Sequence, residues 1–135
     1  MTFLFDTNAI SDFMDEHPRI DEHLAMIAPG DTVVTCAIVR GEILFGIERL
    51  PVGRRRDELS AKAQSALGGM ECEDVPAAAA DHFARLKATA ERVGTQLDDN
   101  DLWIASTALV LGAILVTRDQ DFQRLGALRI EDWTQ

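Results

Sequence analysis

Three short apolar runs, separated by longer helical patterns, constrain the fold of this chain more than anything else in it. Residues 2–5 (Thr-Phe-Leu-Phe), 32–36 (Thr-Val-Val-Thr-Cys) and 113–117 (Ala-Ile-Leu-Val-Thr) are rich in β-branched and aromatic residues and too short for buried helices. Residues 70–75 and 128–130 read as further short strands. Helical patterns fill 7–15, 18–28, 37–49, 54–67, 77–93, 97–111 and 121–125. They are punctuated by Pro29-Gly30-Asp31, Pro51-Val52-Gly53, Gly68-Gly69, Gly94 and Gly112, with Pro76 opening a helix. Strands alternating with helices connect through βαβ crossovers. The expectation is an α/β fold: a mostly parallel central sheet with helices on both faces.

Bulk properties narrow the class. At 135 residues the chain makes one domain, 1–135, that buries roughly two-thirds of its unfolded surface. It contains no apolar stretch of about 18 residues, so no membrane span is expected. Its first residues lack the basic and apolar regions of a signal peptide, so the chain is expected to work in the cytoplasm. Cys36 and Cys72 have neither CxxC spacing nor paired histidines, which argues against a zinc finger or a disulfide framework. Cys36 reads as a small core residue, and His17, His23 and His82 as solvated surface. The net charge is −10. Such a surface suits a cation, a basic partner or plain solubility, and opposes general nucleic-acid binding, which needs Lys and Arg on phosphates.

The acids are not scattered. Asp6 follows the first strand, Glu42 follows the second and the start of its helix, and Asp119 closes the run 114–117. Asp101 opens a helix. In an open parallel sheet the carboxyl ends of the strands share one edge, where ligands bind. Acids gathered there repel one another unless a cation joins them, so the pattern points to a divalent-metal site.

Each segment has its own logic. In Asp6-Thr7-Asn8-Ala9-Ile10-Ser11 a strand ends in an acid beside a helix start. Thr7, Asn8 and Ser11 are placed to orient that carboxylate or a water, although Asp6 or Asn8 as a simple helix cap accounts equally for the motif. Glu42 stands one step off the buried face formed by 39, 43, 44 and 47, in what reads as a first turn favoured by the helix dipole, and taken alone it reads first as an ordinary surface glutamate. Gly46 is suited to close helix packing. In 97–108, Asp101 shares a stripe with Ile104, Ala105 and Ala108, so it faces the sheet, where an unpaired charge is costly. Asp98 lies one turn earlier as a secondary ligand or a cap, and Asp99 is on another face. In Thr117-Arg118-Asp119-Gln120-Asp121-Phe122, Thr117 suits a water or a phosphate oxygen. Asp119 lies nearest the strand end, while Asp121 reaches the site or caps the next helix; both stay open. Arg40 and Arg118 are the candidate substrate cations. Arg54-Arg55-Arg56 reads as a solvated helix end, with substrate contact as the alternative, and Phe45 and Trp103 as core, with base stacking as the alternative.

These segments, in this order and over essentially the whole chain, resemble PIN-domain proteins of the VapC type, the toxin half of bacterial toxin–antitoxin pairs. The matching residues are Asp6-Thr7-Asn8 with Ser11, Glu42 in Arg-Gly-Glu-Ile-Leu-Phe-Gly-Ile, Asp101 in Asp-Leu-Trp-Ile-Ala-Ser-Thr-Ala, and Leu-Val-Thr-Arg-Asp-Gln-Asp-Phe. The resemblance implies an endoribonuclease dependent on Mg²⁺ or Mn²⁺. Asp6, Glu42, Asp101 and Asp119 would form its acidic cluster, with Asp6 and Asp101 as principal ligands. It also implies an RNA substrate, a homodimer and a cognate antitoxin whose C-terminal segment, often with an arginine, enters the site.

Carboxylate oxygens suit such ions, and hydrolysis by activated water leaves a 3′-hydroxyl and a 5′-phosphate. Rival readings fare worse. A haloacid-dehalogenase-like phosphatase wants an aspartate where Asn8 stands, and a receiver domain wants a lysine that 116–118 lacks. A PIN-fold binding module without catalysis, or a nuclease outside a toxin pair, remains the alternative.

Overall fold

The computed structural model describes residues 1–135. The chain runs β1 (Thr2–Phe5), α1 (Thr7–Met14), α2 (Pro18–Met26), β2 (Thr32–Cys36), α3 (Ala37–Glu48), α4 (Arg54–Gly68), β3 (Glu71–Glu73), α5 (Ala79–Val93), α6 (Asp99–Leu111), β4 (Ile114–Val116), a 3₁₀ helix (Gln120–Leu125) and β5 (Ile130–Glu131). All strand pairs are parallel, in the order β3-β2-β1-β4-β5. Leu4 lies opposite Val34 on one side and Leu115 on the other. Successive residues of a strand face opposite sides of a sheet. Phe3, Leu4 and Phe5 are nevertheless all buried, so helices cover both faces of β1, as the unbroken apolar runs predict.

Local chemistry sets the element ends. Gly94 and Gly112 adopt left-handed backbone (φ 73° and 62°) and stop α5 and α6 where other residues would be strained. The helix expected from 77 begins at Ala79, because Pro76 and Ala77 carbonyls take the Ala79 and Ala80 N–H groups in a turn. The edge strand lies two residues later than 128–130, in a register set by Leu115 N–H to Arg129 and Thr117 N–H to Glu131. Beyond it, Trp133 folds back into the core against Phe3 and Phe5, with ring centroids 5.1 and 5.3 Å apart. His23 stacks on the same indole at 5.0 Å, so this histidine is a half-buried packing residue rather than solvated surface. No helix is long and apolar enough to cross a membrane.

Candidate active site

Strand order places the site. β1, β2 and β3 build outward in one direction, β4 and β5 in the other, so the topology reverses between β1 and β4. At such a switch point the loops leaving adjacent strands diverge and open a crevice at the carboxyl edge. Asp6 leaves β1 on one side of it; Thr117 and Asp119 leave β4 on the other. The helices α1 and α3 start from this edge, and α6, which runs into β4, starts there too. Three helix N-termini and their acids therefore face the same end of the sheet.

Asp6 is buried and is the N-cap of α1: its Oδ1 accepts the Ala9 N–H at 2.8 Å. The Thr117 hydroxyl also acts on its carboxyl and favours the charged form. Capping and an active-site role are thus compatible in one side chain, which uses one oxygen for the helix. Thr7 donates its hydroxyl to Glu42 Oε1 at 2.6 Å and ties α1 to α3. Glu42 is the sixth residue of α3, not a first-turn residue; α3 has no acid in its first turn, so the helix dipole does not explain this glutamate. Asp98 and Asp101 form a reciprocal capping box at the start of α6. The Asp101 N–H donates to Asp98 at 2.8 Å, and the Asp98 N–H donates to Asp101 Oδ2 at 3.2 Å. Asp99 turns away to Lys87, 3.0 Å distant.

Asp119 and Asp121 part company in the fold. Asp119 caps the 3₁₀ helix by accepting the Asp121 N–H at 3.0 Å, and its own N–H is taken by the Thr117 hydroxyl at 3.0 Å. Its charge bears on Asp6. Asp121 is not the cap; its carboxylate accepts the Gln96 N–H at 2.8 Å. With Arg124, which donates to the Val93 and Gly94 carbonyls, it pins the loop that leads into α6. Nothing in the local sequence signals that clamp, because its partners lie about 25 to 31 residues away.

Electrostatics separates this edge from the rest of the surface. Burial pushes the Asp6 carboxyl up to about 6, against the pull of the Thr117 hydroxyl and the Ala9 N–H, and Asp119 adds to the rise. Burial likewise raises Asp101 to about 7; the Asp98 N–H opposes this, and the Asp98 and Glu42 charges reinforce it. The acids able to offer oxygens to a cation are thus linked pairwise, Asp6 with Asp119 and Asp101 with Glu42. No three Asp, Glu, His or Cys side chains converge into a ready-made cage.

The other expected residues fall as follows. Ser11 is half-buried, Asn8 exposed, and Thr117 fully buried with its hydroxyl already engaged. Arg118 pairs with Asp12 at 3.0 Å. Arg40 is exposed and its charge acts on Cys72, toward the β3 edge. Trp103 is half-buried and stacks on Phe83 at 4.0 Å. Phe45 is not core at all: it is 64% exposed. Gly46 packs against nothing, since a Cβ there would meet no atom within 4 Å.

Comparison with known proteins identifies the fold and the family. The PIN domain model matches residues 3–128. Ribonuclease VapC1 of Haemophilus influenzae strain R2866 is 31% identical over the full length of both chains. A tRNA(fMet)-specific endonuclease VapC of Shigella flexneri is 27% identical over 99% of each. Among solved structures, VapBC2 from Rickettsia felis, bound to a DNA fragment from its promoter, superposes with a TM-score of 0.87 at 27% identity, over 98% of this chain and 99% of that one. The chain belongs to the PIN-domain family, among the VapC ribonucleases.

Proposed function

We propose that this protein is an endoribonuclease dependent on Mg²⁺ or Mn²⁺, the toxin half of a toxin–antitoxin pair, acting in the cytoplasm. One observation carries the reading. Two acids raised well above the usual carboxylate range, Asp6 and Asp101, lie at one sheet edge with Glu42 and Asp119 beside them and no cation paired to Asp101. Side chains held in that state gain most from a bound divalent ion.

The donor set fits such an ion. Mg²⁺ keeps several waters and takes one or two carboxylates plus substrate phosphate, rather than a closed protein cage. That matches an edge where acids are paired but no three converge. When bound, the ion lowers the pKa of a water and offsets charge building on the scissile phosphate. Asp6 and Asp101 would hold it directly, with Glu42 and Asp119 ligating directly or through water. The Thr7 hydroxyl fixes the Glu42 carboxylate, and the Asp98 N–H fixes that of Asp101, so both present an oriented free oxygen. Hydrolysis by water leaves a 3′-hydroxyl and a 5′-phosphate. The relatives' names and the VapBC2 pair support RNA as substrate and a cognate antitoxin as partner. A basic antitoxin segment entering this edge would find uncompensated carboxylates, and a homodimer is the expected assembly.

The test is cleavage of total cellular RNA by antitoxin-free protein with Mg²⁺, with Mn²⁺ and with EDTA. Discrete fragments are expected with either metal and none with EDTA. Asp101→Asn, which retains an acceptor for the Asp98 N–H, should fold and cut nothing. Metal-independent cleavage, or full activity in that variant, would overturn the assignment.

A further inference from the structure

The two pairs of acids stand on different elements. The Asp6 and Asp119 carboxylates accept the Ala9 and Asp121 N–H groups, and those of Glu42 and Asp101 accept from Thr7 and Asp98, so neither pair is fixed directly against the other. Their spacing depends on where the start of α6 lies. That helix joins β4 through Gly112 at its far end, and by its rise per residue about 16 Å separate Gly112 from Asp101. A tilt of about 1° at Gly112 therefore moves the Asp101 carboxylate by about 0.3 Å. Metal–oxygen distances tolerate about 0.2 Å. Apolar packing is non-directional, so directed bonds at the near end of α6 matter to the site.

Such bonds come from the 3₁₀ helix that Asp119 caps. Asp121 accepts the Gln96 N–H at 2.8 Å, and Arg124 donates to the Val93 carbonyl and, at 3.3 Å, to that of Gly94. Residues i and i+3 eclipse in a 3₁₀ helix, so both side chains leave the same side and grip the same loop. Their charges suit opposite backbone polarities: the anion takes an N–H, and the cation takes carbonyls left open at the C-terminal end of α5. Although they stand three residues apart, they bond the loop rather than each other, and neither joins any ion pair. The tie continues into both caps. The Asp121 N–H is held by Asp119 Oδ1 at 3.0 Å, and two residues beyond Gln96 comes Asp98, whose carboxylate holds the Asp101 N–H at 2.8 Å. One short path thus runs from the Asp119 carboxylate to the start of α6. The bonds to the loop lie at the surface, where water competes and each adds little to stability. Their value is geometric.

We propose that Asp121 and Arg124 are positioning residues: together they brace the start of α6, so that Asp101 stands at the distance from Asp6 and Asp119 that a shared divalent ion needs. The inference rests on the nuclease reading and adds to it two residues that act without touching the ion. It also gives Asp121 a role distinct from that of Asp119, two residues away.

The test is calorimetric titration of Mn²⁺ into the metal-free protein, beside urea unfolding and steady-state RNA cleavage. Asp121→Ala and Arg124→Leu should each weaken Mn²⁺ binding and lower kcat by about tenfold or more, the loss that follows when a group orienting a ligand is removed. KM for RNA and the urea midpoint should change little. Asp121→Asn, which keeps an acceptor for the Gln96 N–H, should restore both affinity and kcat. Asp31→Ala, which takes a carboxylate from the Ala28 N–H at the other end of the sheet, should alter neither. If Asp121→Ala does not fold, Arg124→Leu carries the same test. Unchanged Mn²⁺ affinity and kcat in the variants overturns the brace and leaves the nuclease reading standing. A fall in kcat that only follows the folded fraction, with Mn²⁺ affinity intact, makes the tie structural and equally overturns it. So do equal losses in Asp121→Asn and Asp121→Ala, which would make the Asp121 carboxylate itself a ligand. Weakened Mn²⁺ binding in the variants of a protein whose wild type cuts no RNA would keep the brace and remove the nuclease reading. A wild type that binds no Mn²⁺ overturns both.

Discussion

Asp6 and Asp31 stand at opposite ends of the two neighbouring central strands, and they titrate in opposite directions. Asp31 precedes β2 at the amino edge of the sheet. The N-terminal ammonium donates to it at 3.1 Å and the Ala28 N–H at 3.2 Å, and these hold it below the ordinary carboxylate value. Asp6 follows β1 at the carboxyl edge, is buried, and is raised to about 6. The same residue type is matched by a cation at one end and left short of one at the other. The proposed site rests on this contrast: Asp31 is satisfied within the fold, whereas Asp6 is left for a cation to bind.

The largest effect that would test this contrast lies within the carboxyl edge. Asp119→Asn should lose most RNA cleavage, whereas Asp121→Asn should lose far less, because Asp121 holds the Gln96 N–H and an amide oxygen can still accept it. The reverse order in side-by-side initial rates would put Asp121, not Asp119, in the site.

Stability gives the next effect. Asp6 is held near 6 in the fold against an ordinary 3.8, so the folded chain keeps a proton that the unfolded chain releases. Its contribution to stability is complete below 3.8 and is lost as pH rises through about 6. Asp6→Asn preserves the cap on Ala9, since Asn and Asp cap equally well. At pH 8, without divalent ions, it should raise unfolding free energy by about 1–3 kcal/mol. Urea titration at pH 8 and again near pH 4, where the gain should vanish, checks the sign.

Adding Mg²⁺ or Mn²⁺ should raise the melting temperature at pH 8 and have little effect at pH 5. Asp6 and Asp101 are raised to about 6 and about 7, so at the lower pH both are largely protonated and unable to ligate. An equal shift at both values would place the cation elsewhere. The smallest effect belongs to the amino edge. Asp31→Asn should lower the melting temperature slightly at neutral pH and not at all at strongly acidic pH, where wild-type Asp31 is itself protonated, and should leave cleavage untouched. A loss of activity there would break the comparison.

Much of this was legible without coordinates, for reasons of chemistry that act over a few residues. Unbroken apolar runs announced strands buried on both faces, and Gly94 and Gly112 announced helix ends, because backbone sterics are local. Asp101 could be separated from Asp99 by helical spacing alone; in the fold Asp101 is half-buried toward Glu42 and Asp99 is bound to Lys87. What failed did so where exposure depends on distant segments. Phe45 and Gly46 sit on an apolar helix and read as packing residues, yet no element comes down on that side of α3. His23 reads as a solvated charge, yet the C-terminal tail brings Trp133 onto it.

The sequence by itself determined the order of strands and helices and the placing of an acid near the start of four helical segments, since periodicity, turn residues and caps are properties of neighbours along the chain. Only the tertiary structure decided which acids share an edge. The reversal between β1 and β4 brings Asp6 to Asp119, the Thr7 hydroxyl binds Glu42 across 35 residues, and Asp121 is drawn off to Gln96. Strand order and long-range hydrogen bonds come from packing the sheet as a whole, and burial, the main cause of the raised carboxyls, exists only once that packing is complete.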